Sequence, residues 1–363
     1  MDLTQLRQRI ASLDDHIVTL PNELASYSLE VGLQKQRELK ATNADLQVYV
    51  PGQERTVLNR VATLNHGPLS DQALQAIYRE IMSASISLQK EVIVAYLGPR
   101  GSFSHEATVN RFGDSVTYSP RDTIDGKYPS TNCHVTYGVV PFENSTHGSV
   151  IQTLDRFRTS SVRIRAETYL KVRQALLSNY QLSAIKRIYS HPQAFGQTKQ
   201  WLSQHLPSAE CINVSSTSRA AEMAASEANT AAIASTMCAK LYGLTIVQED
   251  IQDQSDNVTR FFVIASESDK ATGNDKTLLR FTVDHRQPGA LCDALRCFKD
   301  NGINLTSINS RPSLQHPWHY YFFVECMGHA DDASLAQTLS DMNAYCLQIR
   351  VLGSFPNQGQ HQL

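Results

Sequence analysis

Over the first ninety residues, apolar positions recur in steps of three and four. Leu3, Leu6, Ile10, Leu13, Ile17, Leu20, Leu24, Tyr27 and Val31 form a seam sustained over about four heptads, the signature of a long helix packed on other helices. A second helix carries Val57, Leu58, Val61 and Leu64. Asn65-His66-Gly67-Pro68 breaks it, and Ser70 is placed to cap a third helix with Asp71 in its first turn. That third helix carries Leu74, Ile77, Ile81, Ser85 and Leu88. Ile77, Ile81, Ser85 and Gln89 share one face. The stripe turns polar at Ser85 and Gln89, which fits either a polar pocket inside a bundle or a helix end that has surfaced. Pro21 lies within the first helix; its missing N–H predicts a kink costing about 3 kcal/mol.

At residue 92 the period changes. Val92 to Leu97 reads as a buried strand closed by Gly98-Pro99. Short β runs then alternate with helical patterns: Tyr137 to Phe142, Ile188 to Ser190, Cys211 to Val214, Ala231 to Ala234 and Arg260 to Ala265. Such alternation predicts α/β layers. Residues 266–276 are polar and read as a linker. The last block reads strand (Leu278 to Val283), helix (Gly289 to Lys299), strand (Ile303 to Ser310), strand (Tyr320 to Met327), helix (Ala333 to Met342), strand (Leu347 to Leu352). That is the βαββαβ order of a ferredoxin-like α+β domain. The tail from Asn357 reads as loose.

The chain is therefore multidomain, with boundaries placed at 1–91 (all-α), 92–267 (α/β) and 277–355 (α+β). Its 363 residues suit two or three domains. A net charge of −2 argues against a surface for nucleic acid. No run approaches the roughly 18 apolar residues needed to span a membrane, and the N-terminus has no basic segment leading an apolar one. Seven scattered cysteines without a C-x-x-C pair read as reduced thiols. A cytoplasmic protein is expected.

Three segments place small polar residues where a strand hands over to a helix: Gly98 to Ser104, Ser190 to Gln197, and Ser215 to Ser218. Helix N-termini bind carboxylates through free N–H groups. Serine-rich caps are common, so one such segment means little. Three in one domain point to an anionic ligand held between layers. A fourth segment, Gly138 to Gly148, follows a buried strand; a fifth, Asp256 to Phe262, sets Arg260 at the head of an apolar strand, where a charge needs a partner or a ligand.

Together, Gly98 to Ser104, Tyr137 to Gly148, Ser190-His191-Pro192-Gln193, Ser216-Thr217-Ser218 and Thr259-Arg260-Phe261 resemble, in order, the signature segments of prephenate dehydratases. The resemblance covers about residues 93–265. It implies a two-lobed fold of periplasmic-binding-protein type with its site between the lobes. It also implies Thr259 as proton donor to, or polariser of, the departing 4-hydroxyl, with Asn144, Ser190 and Gln197 assisting. Arg260 and the helix start at Ser216, Thr217 and Ser218 are the expected carboxylate binders, with Ser102 and Glu143 as further substrate-binding candidates. Prephenate loses CO2 and hydroxide together, and aromatisation drives the step. The enzyme has to hold a dianion, assist the leaving hydroxyl and exclude water. No metal or organic cofactor is required.

Residues 1–90 resemble the all-helical chorismate mutase domain that precedes many bacterial dehydratases and forms intertwined dimers. Arg7, Lys35, Glu54, Ser85 and Gln89 match its functional positions, whereas Leu24 and Gln53 stand where the family has arginines. Each lost charge-assisted bond costs about 1.5–3 kcal/mol. An impaired mutase is expected, unless Arg9, Lys40 or Arg55 substitutes. The final block resembles a phenylalanine-binding ACT domain, which implies an effector site at Gly289-Ala290-Leu291 and Asn309-Ser310-Arg311-Pro312. The family usually has Glu at position 309. The expected function is thus prephenate dehydration fused to chorismate mutation and inhibited by L-phenylalanine, in a homodimer or larger homo-oligomer. One alternative keeps the dehydratase and leaves the helical domain as a dimerisation scaffold. The other makes the chain an amino-acid-sensing binding protein.

Overall fold

The computed structural model describes residues 1–39, 48–123 and 135–359. Lys40, Cys133 and the last four residues lie outside them. The chain divides into two units, residues 1–93 with 112–117, and the remainder.

In the first unit, α1 (Leu3–Leu39) and α2 (Pro51–Leu64) each pack on α3 (Asp71–Gln89). Ser70 caps α3, its Oγ accepting from the Ala73 N–H at 3.2 Å. Pro51 opens α2, where its absent N–H is no loss. Gly32 lets α1 approach α3: a Cβ there would stand 2.9 Å from Gln89 Cγ. Pro21 does not break α1, which runs as one α-helix through it. The carbonyl deprived of its partner lies on an exposed turn, where water can satisfy it. The predicted seam is present, but Leu3, Ile10, Leu13 and Ile17 are each more than half exposed in a single chain.

The second unit begins with a six-stranded sheet. Its order is β2 (Thr117–Arg121), β1 (Ile93–Leu97), β3 (Tyr137–Asn144), β11 (Val258–Ala265) and β5 (Arg163–Lys171), with β4 (Gly148–Ser149) paired to β3. It packs with α4 (Phe103–Phe112) and α5 (Ile151–Phe157). A second, five-stranded sheet runs β10 (Ile246–Gln248), β6 (Ala175–Leu177), β9 (Thr230–Ala234), β7 (Arg187–Ser190) and β8 (Glu210–Asn213). It carries α6 (Pro192–Gln197), α7 (Lys199–His205), α8 (Thr217–Ser226) and α9 (Met237–Tyr242). The chain passes between these two lobes at Val172–Gln174 and returns before Val258. Hydrogen bonds join the two crossings, Ile251 N to Gln174 O (3.0 Å) and Val172 N to Asn257 O (2.8 Å).

The third sheet has the order β13 (Leu305–Pro312), β14 (Tyr320–Met327), β12 (Asp275–Val283), β15 (Cys346–Pro356), with α10 (Ala290–Asp300) and α11 (Ala333–Met342). This is the predicted βαββαβ arrangement. Its strand β15 packs on β5, where a Cβ on Gly353 would collide with the Ile164 backbone. Phe355 packs at a tilt against Phe262, with ring centroids 5.3 Å apart.

Two expectations are corrected here. The linker around 266–276 is pinned: Asp269 is buried 3.6 Å from Arg165, and Asp275 accepts from the Thr272 hydroxyl at 2.7 Å. The tail is docked as far as the structure describes it. Asn357 and Gln358 are buried, and the Gln358 N–H donates to Glu167 at 2.7 Å.

Candidate active sites

Antiparallel pairing of β11 with β3 sets Thr259 opposite Asn144. The Asn144 Nδ2 donates to Thr259 Oγ1 at 2.9 Å and to Asn257 Oδ1 at 2.7 Å. Its Oδ1 accepts from the N–H groups of Thr146 and His147, both at 3.0 Å. The amide is thereby fixed in orientation. Because Thr259 Oγ1 accepts from Asn144, the threonine proton is left to point elsewhere.

Thr259 lines a cleft of about 300 Å³ between the lobes. Thr259, Asn144 and Asn257 line one side. The lining also takes in the three predicted helix starts: Ser102, Phe103 and Ser104 at α4 of the same lobe, and from the second lobe His191 and Gln193 at α6 and Ser215, Ser216 and Thr217 at α8. Ser216 caps α8, accepting from the Arg219 N–H at 3.0 Å. The His191 Nδ1 accepts from the Gln193 N–H at 3.2 Å. Gln197 and Gln174 close the hinge side. Among the described residues, the lining holds no Lys, Arg, Asp or Glu. An anion here would be met by helix-start N–H groups, hydroxyls and amides.

The helical unit holds its own cavity, of about 660 Å³, between α1, α2 and α3. Lys35, Glu54, Ser85 and Gln89 line it together with Leu24 and Gln53. Among the described residues, Lys35 is its one cationic lining group. Ser85 back-bonds to the Ile81 carbonyl at 2.8 Å.

Known proteins resemble all three parts of the chain. Residues 94–269 match the family model for prephenate dehydratase, residues 6–90 that for chorismate mutase type II, and residues 277–343 that for the ACT domain. The bifunctional chorismate mutase/prephenate dehydratase of Aquifex aeolicus is 40% identical over 361 residues, 98% of each chain. That of Stutzerimonas stutzeri is 41% identical over 358 residues, 98% of this chain and 97% of its own. The chain belongs to the bifunctional chorismate mutase/prephenate dehydratase family. Among solved structures, the prephenate dehydratase of Arthrobacter aurescens in complex with L-Phe superposes with a TM-score of 0.67 and 32% identity. It covers 74% of this chain and 91% of its own.

Within the dehydratase domain the structure gathers Thr259, Asn144, Gln197, Ser102, Ser216 and Thr217 around the cleft. It places four other expected residues elsewhere. Ser190 is fully buried and spends its hydroxyl on the Ile233 carbonyl at 2.8 Å. Ser218 is fully buried, hydrogen-bonded to the Arg100 carbonyl and, at 2.9 Å, to the Tyr242 hydroxyl. Glu143 lies outside the lining, 3.9 Å from Arg260. Arg260 follows Thr259 on β11, so its side chain leaves by the opposite face. There it meets Glu167 at 2.6 Å and forms a bidentate pair with Glu325 of the ACT domain. Lys276 adds a second cation, 3.2 Å from Glu167 and 3.9 Å from Glu325. Burial alone would lower the Arg260 pKa; the Glu167 and Glu325 carboxylates outweigh it and the net shift is upward. Burial, helped by Glu167, raises Tyr169 beside them. Arg260 is therefore an interdomain ion-pair residue that does not line the cleft.

In the mutase domain, Lys35, Glu54, Ser85 and Gln89 come together, but Arg7 does not. It sits 28 residues before Lys35 on the same helix, roughly 42 Å away along the axis. Arg9 and Arg55 do not line the cavity. In the ACT domain, Gly289 caps α10 with φ 83°, and Ala290-Leu291 begin the helix. Asn309, Ser310, Arg311 and Pro312 lie on the edge strand β13. Asn309 accepts from the Ser149 hydroxyl at 2.7 Å, Arg311 grips Asp155 through two bonds of 2.8 and 2.9 Å, and the Pro312 carbonyl accepts from Arg158 at 2.8 Å. The segment expected to bind the effector is thus tied to the residues that follow Asn144.

The sequence reading missed Gln174 and Val172, which line the cleft from the first crossing. A short polar interval between two strands gave no signal for either.

Proposed function

We propose that the interlobe cleft converts prephenate to phenylpyruvate, CO2 and water. The observation that carries this reading is the Asn144–Thr259 bond of 2.9 Å. It occupies a lone pair of Oγ1 and leaves the threonine hydroxyl to donate a hydrogen bond to the 4-hydroxyl of a substrate in the cleft. As the C1–carboxylate bond breaks, its electrons complete the aromatic ring, and the C4–oxygen bond breaks with them. The departing oxygen takes up a proton as water. Thr259 hydrogen-bonds to that oxygen as negative charge develops there. The starts of α4 and α8 hold the two carboxylates through N–H groups and the hydroxyls of Ser102, Ser216 and Thr217. Phenylpyruvate formation by Thr259→Ala tests this. A fall of about 10²–10⁴ in turnover with the fold retained is expected; near-wild-type turnover refutes it.

The helical domain, residues 1–91, acts as chorismate mutase of reduced power. With Leu24 and Gln53 in the lining and Lys35 as its cation, a dianion is incompletely neutralised. Arg7 can reach the cavity only from a second copy. The apolar seam along α1, exposed in one chain, supports that homodimer, because a stripe of this length is stable when buried against another helix. Residues 92–267 form the dehydratase and residues 277–355 the regulatory domain, with L-phenylalanine as inhibitor at Gly289–Leu291 and Asn309–Pro312. The phenylalanine-bound relative from Arthrobacter aurescens supports that effector. The six described cysteines are unpaired, which favours a cytoplasmic setting.

A further inference from the structure

Gln174 is 2% exposed, lines the cleft, and sits on the first crossing between the lobes. Its backbone is held on both sides, N–H to Gln252 Oε1 at 2.8 Å and carbonyl from the Ile251 N–H at 3.0 Å. Its side-chain Nε2 donates to Gln197 Oε1 at 3.0 Å. Gln197 is gripped from the return crossing as well, its carbonyl accepting from the Asp253 N–H at 2.7 Å. The two amides form a switchable pair. In the arrangement observed, the Gln197 side-chain oxygen is occupied by Gln174, which leaves its NH2 as the group this lining amide can offer to the cleft. With both amides reversed, the Gln197 carbonyl oxygen would face the substrate instead.

A second observation selects between these arrangements. The Gln174 Oε1 is buried without a hydrogen-bond partner. Reversal would satisfy that oxygen, but would strand the two-hydrogen donor of Gln174 in its place. Under-satisfied carbonyl oxygens are tolerated in protein interiors more readily than orphaned N–H groups. The observed orientation also suits the ligand. Prephenate is a dianion whose carboxylate and keto oxygens are acceptors, and a donor facing it attracts where a carbonyl would repel.

We propose that Gln174 is a positioning residue of the dehydratase, fixing the Gln197 amide with its donor toward the substrate. The proposal rests on the assignment of the cleft to prephenate. Failure of that assignment reads differently, as wild-type enzyme and Thr259→Ala making equal amounts of phenylpyruvate.

The test compares Gln174→Glu and Gln174→Met with the full-length wild type, measuring phenylpyruvate formation from pH 5.5 to 8.5. An ionised carboxylate at 174 can only accept, so it turns the Gln197 carbonyl to the substrate. KM for prephenate rises about tenfold or more at pH 8.5, with kcat changed less, as expected for a lost charge-assisted donor. Burial raises a carboxyl pKa, and the protonated form donates as glutamine does. KM for Gln174→Glu therefore returns toward wild type as the pH falls. Gln174→Met, with no donor, shows a smaller KM rise that does not vary with pH. Wild-type KM in both variants overturns the proposal, as does a deficit in Gln174→Glu that equals that of Gln174→Met at every pH. Should Gln174→Glu not fold, Gln174→Met decides: a raised KM at near-wild-type kcat supports the proposal, and an unchanged KM overturns it.

Discussion

Replacing Glu325 by glutamine tests whether the ACT domain holds the catalytic strand in place. Glu325 is 1% exposed and Arg260 7%. The cluster balances Arg260 and Lys276 against Glu167 and Glu325, with the Thr306 hydroxyl donating to Glu325 at 2.6 Å. Glu325→Gln leaves two buried cations facing Glu167, with the more exposed Glu143 3.9 Å from Arg260 as the remaining acid. Breaking a buried pair by removing one partner costs about 3–5 kcal/mol. The glutamine carbonyl still accepts one bond, so a value near 3 kcal/mol is expected, a large share of a typical stability of about 5–15 kcal/mol. Urea unfolding followed by circular dichroism measures it. Thr259 precedes Arg260 in the chain, so kcat for prephenate should fall alongside stability. The double variant Arg260→Met/Glu325→Leu restores balance between Lys276 and Glu167, and should be less unstable than Glu325→Gln alone. A Glu325→Gln loss under about 1 kcal/mol, or a double variant showing additive losses, refutes the reasoning.

The mutase expectation is tested by reversal. Leu24→Arg with Gln53→Arg places two cations in the cavity lining and should raise kcat/KM for chorismate by an order of magnitude or more, each charge-assisted bond contributing about 1.5–3 kcal/mol. Wild-type mutase turnover that already matches the dehydratase, with no gain on reversal, would sink it. A third prediction concerns pH. The Arg311 hydrogen bonds hold the Asp155 carboxyl below its ordinary range. A depressed folded pKa contributes stability that is complete above the unfolded value and is lost as pH falls through the folded one. Wild type should therefore exceed Asp155→Asn by about 0.5–1 kcal/mol above roughly pH 4. The difference should shrink on further acidification, as read from urea midpoints between pH 7 and pH 3; a constant difference would contradict it.

Much of the fold was legible because its signals were local. The three-and-four spacing gave α1, Ser70 with Asp71 gave the start of α3, and the βαββαβ order gave the third sheet. Strand β5 went unread, although it pairs with β11 within the first sheet. Its sequence alternates charged and apolar residues from Arg163 to Glu167. Its charged positions would suit a solvated face, yet Glu167 is fully buried. What buries them is the ACT sheet: Arg163 bonds to the Val351 carbonyl, Arg165 meets Asp269 in the linker, and Glu167 meets Lys276. Partners more than a hundred residues away cannot be inferred from alternation alone. The pinning of the linker and the docking of the tail were hidden for the same reason, since Asp269 answers Arg165 and the Gln358 backbone N–H answers Glu167.

The site divides along the same line. Serine and glycine at strand-to-helix turns announce helix starts through local chemistry, and the structure brings the three starts to one cleft. Arg260 was seen to need a partner, and a lone charge at the head of an apolar strand does find one. The error lay in taking the ligand for that partner. A period of two sends adjacent side chains of a strand to opposite faces. Once Thr259 is assigned to the cleft, Arg260 has to point away from it, toward whatever packs on the other side. That alternation was available from the sequence. The Asn144–Thr259 bond was not, because it depends on the register of β3 against β11. Nor was Gln174, whose role depends on where the chain crosses between the lobes.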